Sequence, residues 1–262
     1  MLVRLPSEFD KLSVTQFKEK HGEPRTELIT RVDDKPLTDN VPAHAVLPVY
    51  LGKQSDEFTL TDVHGLILSD FGEAYSPATE RRLGRDCHTP LLKRAPESLF
   101  EPDEVLSYPS DIWSLGCAIW DILCMKFFLY EMEPVDEVVA EQIDILGYHT
   151  LPESWKKKWE RPDEEDNHAC EEIPRRPIGD REVLPGLEQL FEKCVQKYRR
   201  EEQAAGVFEE DETRALMELL HGMFKFKPEE RLTIDEVLRS TWMVKWALPQ
   251  LEESQTSGSS TS

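Results

Sequence analysis

An apolar run over 111–125 constrains this chain more than any other stretch. Ile112, Leu115, Ile119, Ile122 and Leu123 recur at spacings of three and four, and further apolar residues fill the other faces. That pattern predicts a helix buried nearly all round. Such a helix cannot lie on a surface, so the rest of the chain has to wrap it. Asp121 and Lys126, each costly in lipid, favour a buried helix over a membrane span across 112–130.

The wrapping material follows in order. A helix is expected over 135–146 (VDEVVAEQIDIL), stopped by Gly147, with further amphipathic helices over 187–200, 212–224 and 234–246. The compact apolar run 63–69 (VHGLILS) has strand length. By contrast, the stretch from Ser7 to about Asp56 is polar and broken by Pro24, Pro36, Pro42 and Pro48, which predicts an excursion with little regular structure. The charged, Pro-interrupted stretch 155–182 reads as a surface insert, with the acid run 163–166 (DEED) inside it. The expected organisation is therefore 1–62, a short strand plus an irregular insertion; 63–250, a mainly helical α+β domain; and 251–262, a disordered tail. There is no internal repeat.

Composition narrows the function classes. Six Trp, eleven Phe and six Tyr are too many large anchors for a chain that stays disordered. A formal charge of −21 argues against a free-standing nucleic-acid binder, which needs a basic face for phosphates, and leaves solubility or attraction to basic partners. Five cysteines with no Cys-x-x-Cys pair, and no secretory run after Met1, predict free thiols in a reducing compartment, the cytoplasm or nucleus. His64 and His88 have no partner at metal-ligand spacing.

One motif carries chemistry. In Asp70-Phe71-Gly72, after the expected strand, a strand-end carboxylate can ligate Mg²⁺ bridging nucleotide phosphates, the Phe packs to orient it, and the Gly lets the backbone turn. Alone, the triplet reads rather as a turn Asp with a core Phe. Three more motifs follow: Ala95-Pro96-Glu97, whose Ala95 stands 25 residues after Asp70; Asp111-Ile112-Trp113-Ser114-Leu115-Gly116, opening the apolar helix; and KPEERLT over 227–233, directly before a helix. In this order they resemble the C-terminal lobe of a eukaryotic protein kinase. The stretches RLGRDCHTPLLKRAPE, YPSDIWSLGCAIWDIL and STWMVKWALP resemble fungal relatives of the SR-protein kinases, which phosphorylate serines in Arg/Ser-rich segments.

The resemblance implies a protein-kinase-like C-lobe, α+β and mainly α, with ATP and Mg²⁺ as cofactors and basic Arg/Ser-rich proteins as partners. It makes Asp70 the metal carboxylate, with Phe71 and Gly72 beside it at the nucleotide site. It pairs Glu97 with Arg231 as a buried ion pair. Asp111 would accept backbone N–H groups from a catalytic loop, or serve as a plain N-cap. Thr89 would contact the catalytic aspartate, although its distance to Ala95 is one residue longer than the family spacing. Glu137 and Asp144, two turns apart on one helical face, would dock Arg-rich segments; a solvated acidic face is the other reading of the same pair.

Phosphoryl transfer needs more than a metal carboxylate. A Gly-rich loop, a strand Lys held by a helix Glu, a catalytic-loop Asp and an Asn for the second metal are all required. None of these motifs is found in the 262 residues, so no catalytic residue is assigned. The chain alone is expected to be inactive. The competing expectations are a non-catalytic, pseudokinase-like module that binds basic partners, and an unstable fragment.

Overall fold

The computed structural model describes residues 2–3, 9–33, 35–48, 66–67, 69–123, 134–162, 173–201 and 206–251. They fall into two compact units, Met1–Gly72 and Glu73–Ser262. The expectations for the tail, for 163–172, for Cys124, Cys170 and His64, and for most of the 63–69 strand lie outside the described residues.

In the first unit, β1 (Leu2–Val3) is followed by α1 (Val14–His21), β2 (Thr26–Leu28), β3 (His44–Val46) and β4 (Leu66–Ile67). β1 and β4 pair antiparallel, Leu2 opposite Ile67 and Val3 opposite Leu66. β2 and β3 form a second antiparallel ladder, with Thr26 opposite Val46 and Leu28 opposite His44. The expected irregular excursion thus contains a helix and a ladder. The helix is written locally: the Gln16 N–H donates to Ser13 Oγ at 3.3 Å, and the Ser13 N–H donates to Gln16 Oε1 at 2.9 Å. This capping box satisfies donors that a first turn otherwise leaves unmade. Gly22, at φ 89°, ends the helix in a conformation that favours glycine.

The second unit is helical: α2 (Glu97–Phe100), α3 (Tyr108–Leu123), α4 (Val135–Leu146), α5 (Glu153–Trp159), α6 (Leu187–Phe191), α7 (Lys197–Glu201), α8 (Glu210–Met223) and α9 (Ile234–Leu238). A π-helical turn, Glu192–Gln196, joins α6 to α7, so 187–201 reads as one continuous helical stretch. α4 has the expected bounds, and Gly147 caps it at φ 88°, donating its N–H to the Ile143 carbonyl at 2.8 Å.

Three expectations are corrected. α3 begins at Tyr108, with Pro109 in its first turn, where a missing N–H costs nothing. Its deep face is Ile112, Trp113, Gly116, Cys117 and Trp120, whereas Ile122 is 64% exposed, so the helix is not buried all round. The bulkiest rings claim the packed side. Trp113 meets Phe224 edge-on at 5.2 Å and Trp120 meets Phe191 at 6.2 Å. The 155–182 stretch is no mere surface insert, because Trp155 and Trp159 are 2% and 4% exposed. One turn apart on α5, they turn inward, and of the lysines between them Lys157 is exposed while Lys158 Nζ donates to Phe100 O at 2.7 Å. Trp155 stacks on Phe100 at 4.8 Å and donates its indole N–H to Glu101 at 2.8 Å. Finally, the helix expected over 234–246 breaks after Leu238, and a π-helical turn, Met243–Ala247, follows the break.

The core has two main clusters. One gathers Trp113, Cys117, Trp120, Val138, Leu187, Phe191, Leu216, Leu220 and Phe224 around α3. The other gathers Leu99, Phe100, Val139, Ile143, Trp155, Trp159 and Phe226 around α2, α4 and α5. Burial pushes the Cys117 thiol up to about 12, so it is a packing group and not a nucleophile. No helix among the described residues is long and apolar enough to cross a membrane.

Candidate functional site

The chain after Gly72 runs to Glu97 with almost no regular structure, so its course depends on specific contacts. The Leu106 N–H donates to Arg82 O, the Gly84 N–H to Glu104 O and the Arg85 N–H to Pro102 O, each at 2.9 Å. Gly84 lies so close to α2 that an added Cβ would stand 2.9 Å from Ser98 O. Arg82 reaches Glu73 at 2.8 Å, with its guanidinium 4.6 Å from the Tyr75 ring centroid. The His88 ring, 2.7 Å from Glu73, holds that carboxyl below its usual range, and the nearby Arg82 charge adds to the effect. Near the segment's end, Lys93 pairs with Asp121 of α3, and Ser114 Oγ donates to Lys93 O at 2.8 Å.

Glu97 and Arg231, 134 residues apart in sequence, meet side by side. Arg231 Nη1 donates to Glu97 Oε1 at 2.8 Å and Nη2 to Oε2 at 2.5 Å, the two-pronged geometry that makes arginine–carboxylate pairs strong. The remaining N–H groups reach Lys225 O at 2.8 Å, Pro109 O at 2.8 Å and Phe226 O at 3.2 Å. Ser110 Oγ donates to Glu97 Oε1 at 2.8 Å, and the guanidinium stands 5.3 Å from the Trp113 ring centroid. The arginine side chain is 0% exposed, so charge and hydrogen bonding are balanced without water. The pair clamps the end of the segment that follows Gly72 to the start of α3 and to the turn before α9.

Of the other sequence-singled residues, Asp70 is exposed and has a φ of 68°. That left-handed conformation is uncommon outside glycine and clusters at functional sites. Phe71 is 62% exposed, so the expected packing of its ring is absent among the described residues. Gly72 opens a turn. Thr89 is half-buried, and its carbonyl accepts from Arg94 Nε at 2.9 Å. Asp111 lies inside the first turn of α3 and is therefore not its N-cap; desolvation raises its carboxyl above the usual range.

Magnesium takes one or two carboxylates together with phosphate oxygens and waters. The exposed Asp70 carboxylate fits a share in nucleotide-bound magnesium. It does not fit a metal held by protein alone, because no group of three or more His, Cys, Asp or Glu that could hold a metal occurs among the described residues.

Glu137 and Asp144 are already engaged. Arg181 Nε donates to Glu137 Oε2 at 3.1 Å and Nη1 to Asp144 Oδ2 at 2.7 Å. The Leu184 N–H also donates to Asp144 Oδ2, at 3.0 Å. Burial pulls the Arg181 guanidinium down, yet the bonds and charges of Asp144 and Glu137 outweigh it and leave it raised. The spacing of the two acids was legible in the sequence; their arginine, 37 residues beyond Asp144, was not. The readable signal was the set Arg175, Arg176 and Arg181, the first two between Pro174 and Pro177 and the third two residues after Gly179.

A family model described as "Protein kinase domain" matches residues 56–243. The chain is also similar to "Serine/threonine-protein kinase AFC2" of Arabidopsis thaliana, 27% identical over 139 residues. That alignment covers 53% of this chain and 30% of the length of the relative.

Proposed function

Because the chain belongs to the protein kinase domain family, we propose that it forms the substrate-side helical lobe of a serine/threonine kinase of the SR-protein type. In a complete enzyme it would serve ATP- and magnesium-dependent phosphorylation of serines in Arg/Ser-rich proteins. The observation that carries this reading is the grip of Glu137 and Asp144 on one guanidinium, on the helix where the family resemblance places substrate docking. Charge-assisted bonds of this kind favour arginine for its fork of donors. The acidic balance of the chain supports it, since a net charge of −21 attracts basic segments. The name of the relative adds that it is a serine/threonine kinase.

Alone, these 262 residues transfer no phosphate on this reading. Asp70 offers one metal ligand, while the groups that position the phosphates and the acceptor hydroxyl have no counterpart in the sequence. The purified chain, incubated with Mg-ATP and an Arg/Ser-repeat peptide, is expected to give no product above background. Turnover that Asp70→Ala abolishes would overturn that statement.

The same grip also favours a second reading, a non-catalytic module that holds Arg-rich partners. Thermal unfolding with each ligand separates the two. Stabilisation by Mg-ATP supports a nucleotide site, and stabilisation by the peptide alone supports the binding module.

A further inference from the structure

The segment 173–186 contains no helix or strand, yet it follows a defined path across α4. Its inner side is pinned by acids of that helix. Arg175 donates its backbone N–H to Asp136 Oδ1 at 2.9 Å, Arg181 bridges Glu137 and Asp144, and the Leu184 N–H ends on Asp144. Its outer side is open, with Ile178 and Val183 82% and 67% exposed and Gly179 at φ 117° between them. Ile173 and Leu184 pack on the core and Arg161 holds the Ile173 and Pro174 carbonyls, whereas few apolar contacts and exposed backbone mark the stretch between, 177–183, as the part that opens locally at low cost.

Beside Arg181 lies a cavity of about 320 Å³. Asp144, Glu160, Tyr148 and Trp159 line it, together with Arg176 and Arg181 of the segment itself. Two carboxylates and two aromatic rings are the chemistry that receives a guanidinium. Arg181 therefore fills one edge of a site whose other walls, with the Tyr148 hydroxyl donating to Glu160 at 2.7 Å and Arg176 beside them, also suit a guanidinium.

We propose that residues 173–184 form an internal strap whose Arg181 occupies, in cis, the arginine-docking position of Glu137 and Asp144, so that an Arg-rich partner must displace it to bind. The proposal rests on the docking reading above and names how that site is regulated. Displacement exchanges one guanidinium for another on the same oxygens. No bond other than hydrogen bonds is made or broken, and the cost appears as a weakened apparent affinity.

The test is binding of a fluorescent Arg/Ser-repeat peptide to the full 262-residue chain. If the strap is closed nine-tenths of the time, Arg181→Gln tightens binding roughly tenfold. Arg239→Gln removes the same charge from an exposed position outside the segment and its cavity, and changes affinity by no more than about twofold, the scale of a peripheral surface charge. Glu137→Gln with Asp144→Asn weakens binding in both the wild-type and Arg181→Gln backgrounds. If the acid variants weaken binding but Arg181→Gln does not tighten it, the strap is overturned and docking stands. If neither the wild type nor Arg181→Gln binds the peptide, docking fails and the strap fails with it. Hydrogen exchange on the wild type guards against a misfolded variant: saturating peptide must accelerate exchange of the Leu184 amide, and unchanged protection overturns the strap.

Discussion

Residues 9–48 and the helical unit after Gly72 are built by opposite means. In the first, no residue of α1, β2 or β3 is buried, and order comes from neighbours in sequence. A capping box starts the helix, a glycine stops it, and a three-residue ladder joins two exposed strands. In the second, order comes from partners far apart. Arg231 meets Glu97, Trp155 meets Phe100, and buried Gln196 donates to Phe208 O at 2.7 Å while accepting the Phe208 N–H at 3.0 Å. Local signals can specify shape without a core, but isolated helices under about 12 residues and lone hairpins are marginal in water. Shape and stability thus have separate origins in this chain.

The largest test of that contrast is removal of one end of the buried pair. Glu97→Ala is expected to destabilise the helical unit by about 3–5 kcal/mol, because it strands a charged guanidinium away from water. Urea unfolding followed by tryptophan fluorescence reads this, since every Trp lies after Gly72. A loss under 1 kcal/mol, the scale of an exposed pair, would mean that the unit does not depend on the clamp.

Next comes packing. In Gly116→Ala the added methyl would stand 2.9 Å from the Phe224 ring, and a cost of about 1–3 kcal/mol is expected in the same unfolding experiment. An unchanged midpoint would show that α3 and Phe224 can part freely.

Ser13→Ala probes the other region. Loss of the cap is expected to weaken α1 by about 1 kcal/mol, read as faster amide exchange over 14–21 with no shift in the tryptophan transition. A shift in that transition would erase the division between the two modes of construction.

The smallest effect sharpens the comparison from within the helical unit. The Asp111 carboxyl is raised by desolvation, so its ionised form is disfavoured in the folded state. That penalty is present above the folded pKa and vanishes once pH drops below the ordinary carboxylate range. Asp111 is exposed enough for solvent to screen much of that penalty, so Asp111→Asn is expected to raise the melting temperature only slightly at pH 7 and to leave it unchanged at pH 3. A variant that is less stable than wild type at pH 7 would contradict this.

What could be read without coordinates follows the same divide. α4 was legible to the residue, because its apolar spacing and Gly147 are local. The cap on α1 was equally local, yet four prolines nearby outweighed a serine and a glutamine three residues on. Trp155 and Trp159 were hidden by the lysines between them, and only distant partners such as Phe100, Val139, Ile143 and Phe226 explain their burial. Glu97 and Arg231 could be matched only through family resemblance, since nothing in either neighbourhood names the other. Arg181 had no such guide, which is why the acids of α4 read as free until the fold returned an arginine to them.

The fork of Arg231 has consequences beyond its charge. All five of its N–H groups are spoken for, and their acceptors lie on three separate stretches of chain: the first turn of α2, the start of α3 and the Lys225–Phe226 turn. Lysine, with three donors on one atom, cannot serve the same set. Nor can one of the three stretches loosen alone, because its departure takes bonds from a side chain that the other two share. They are joined as one cooperative block, and the chain in that block melts together or not at all.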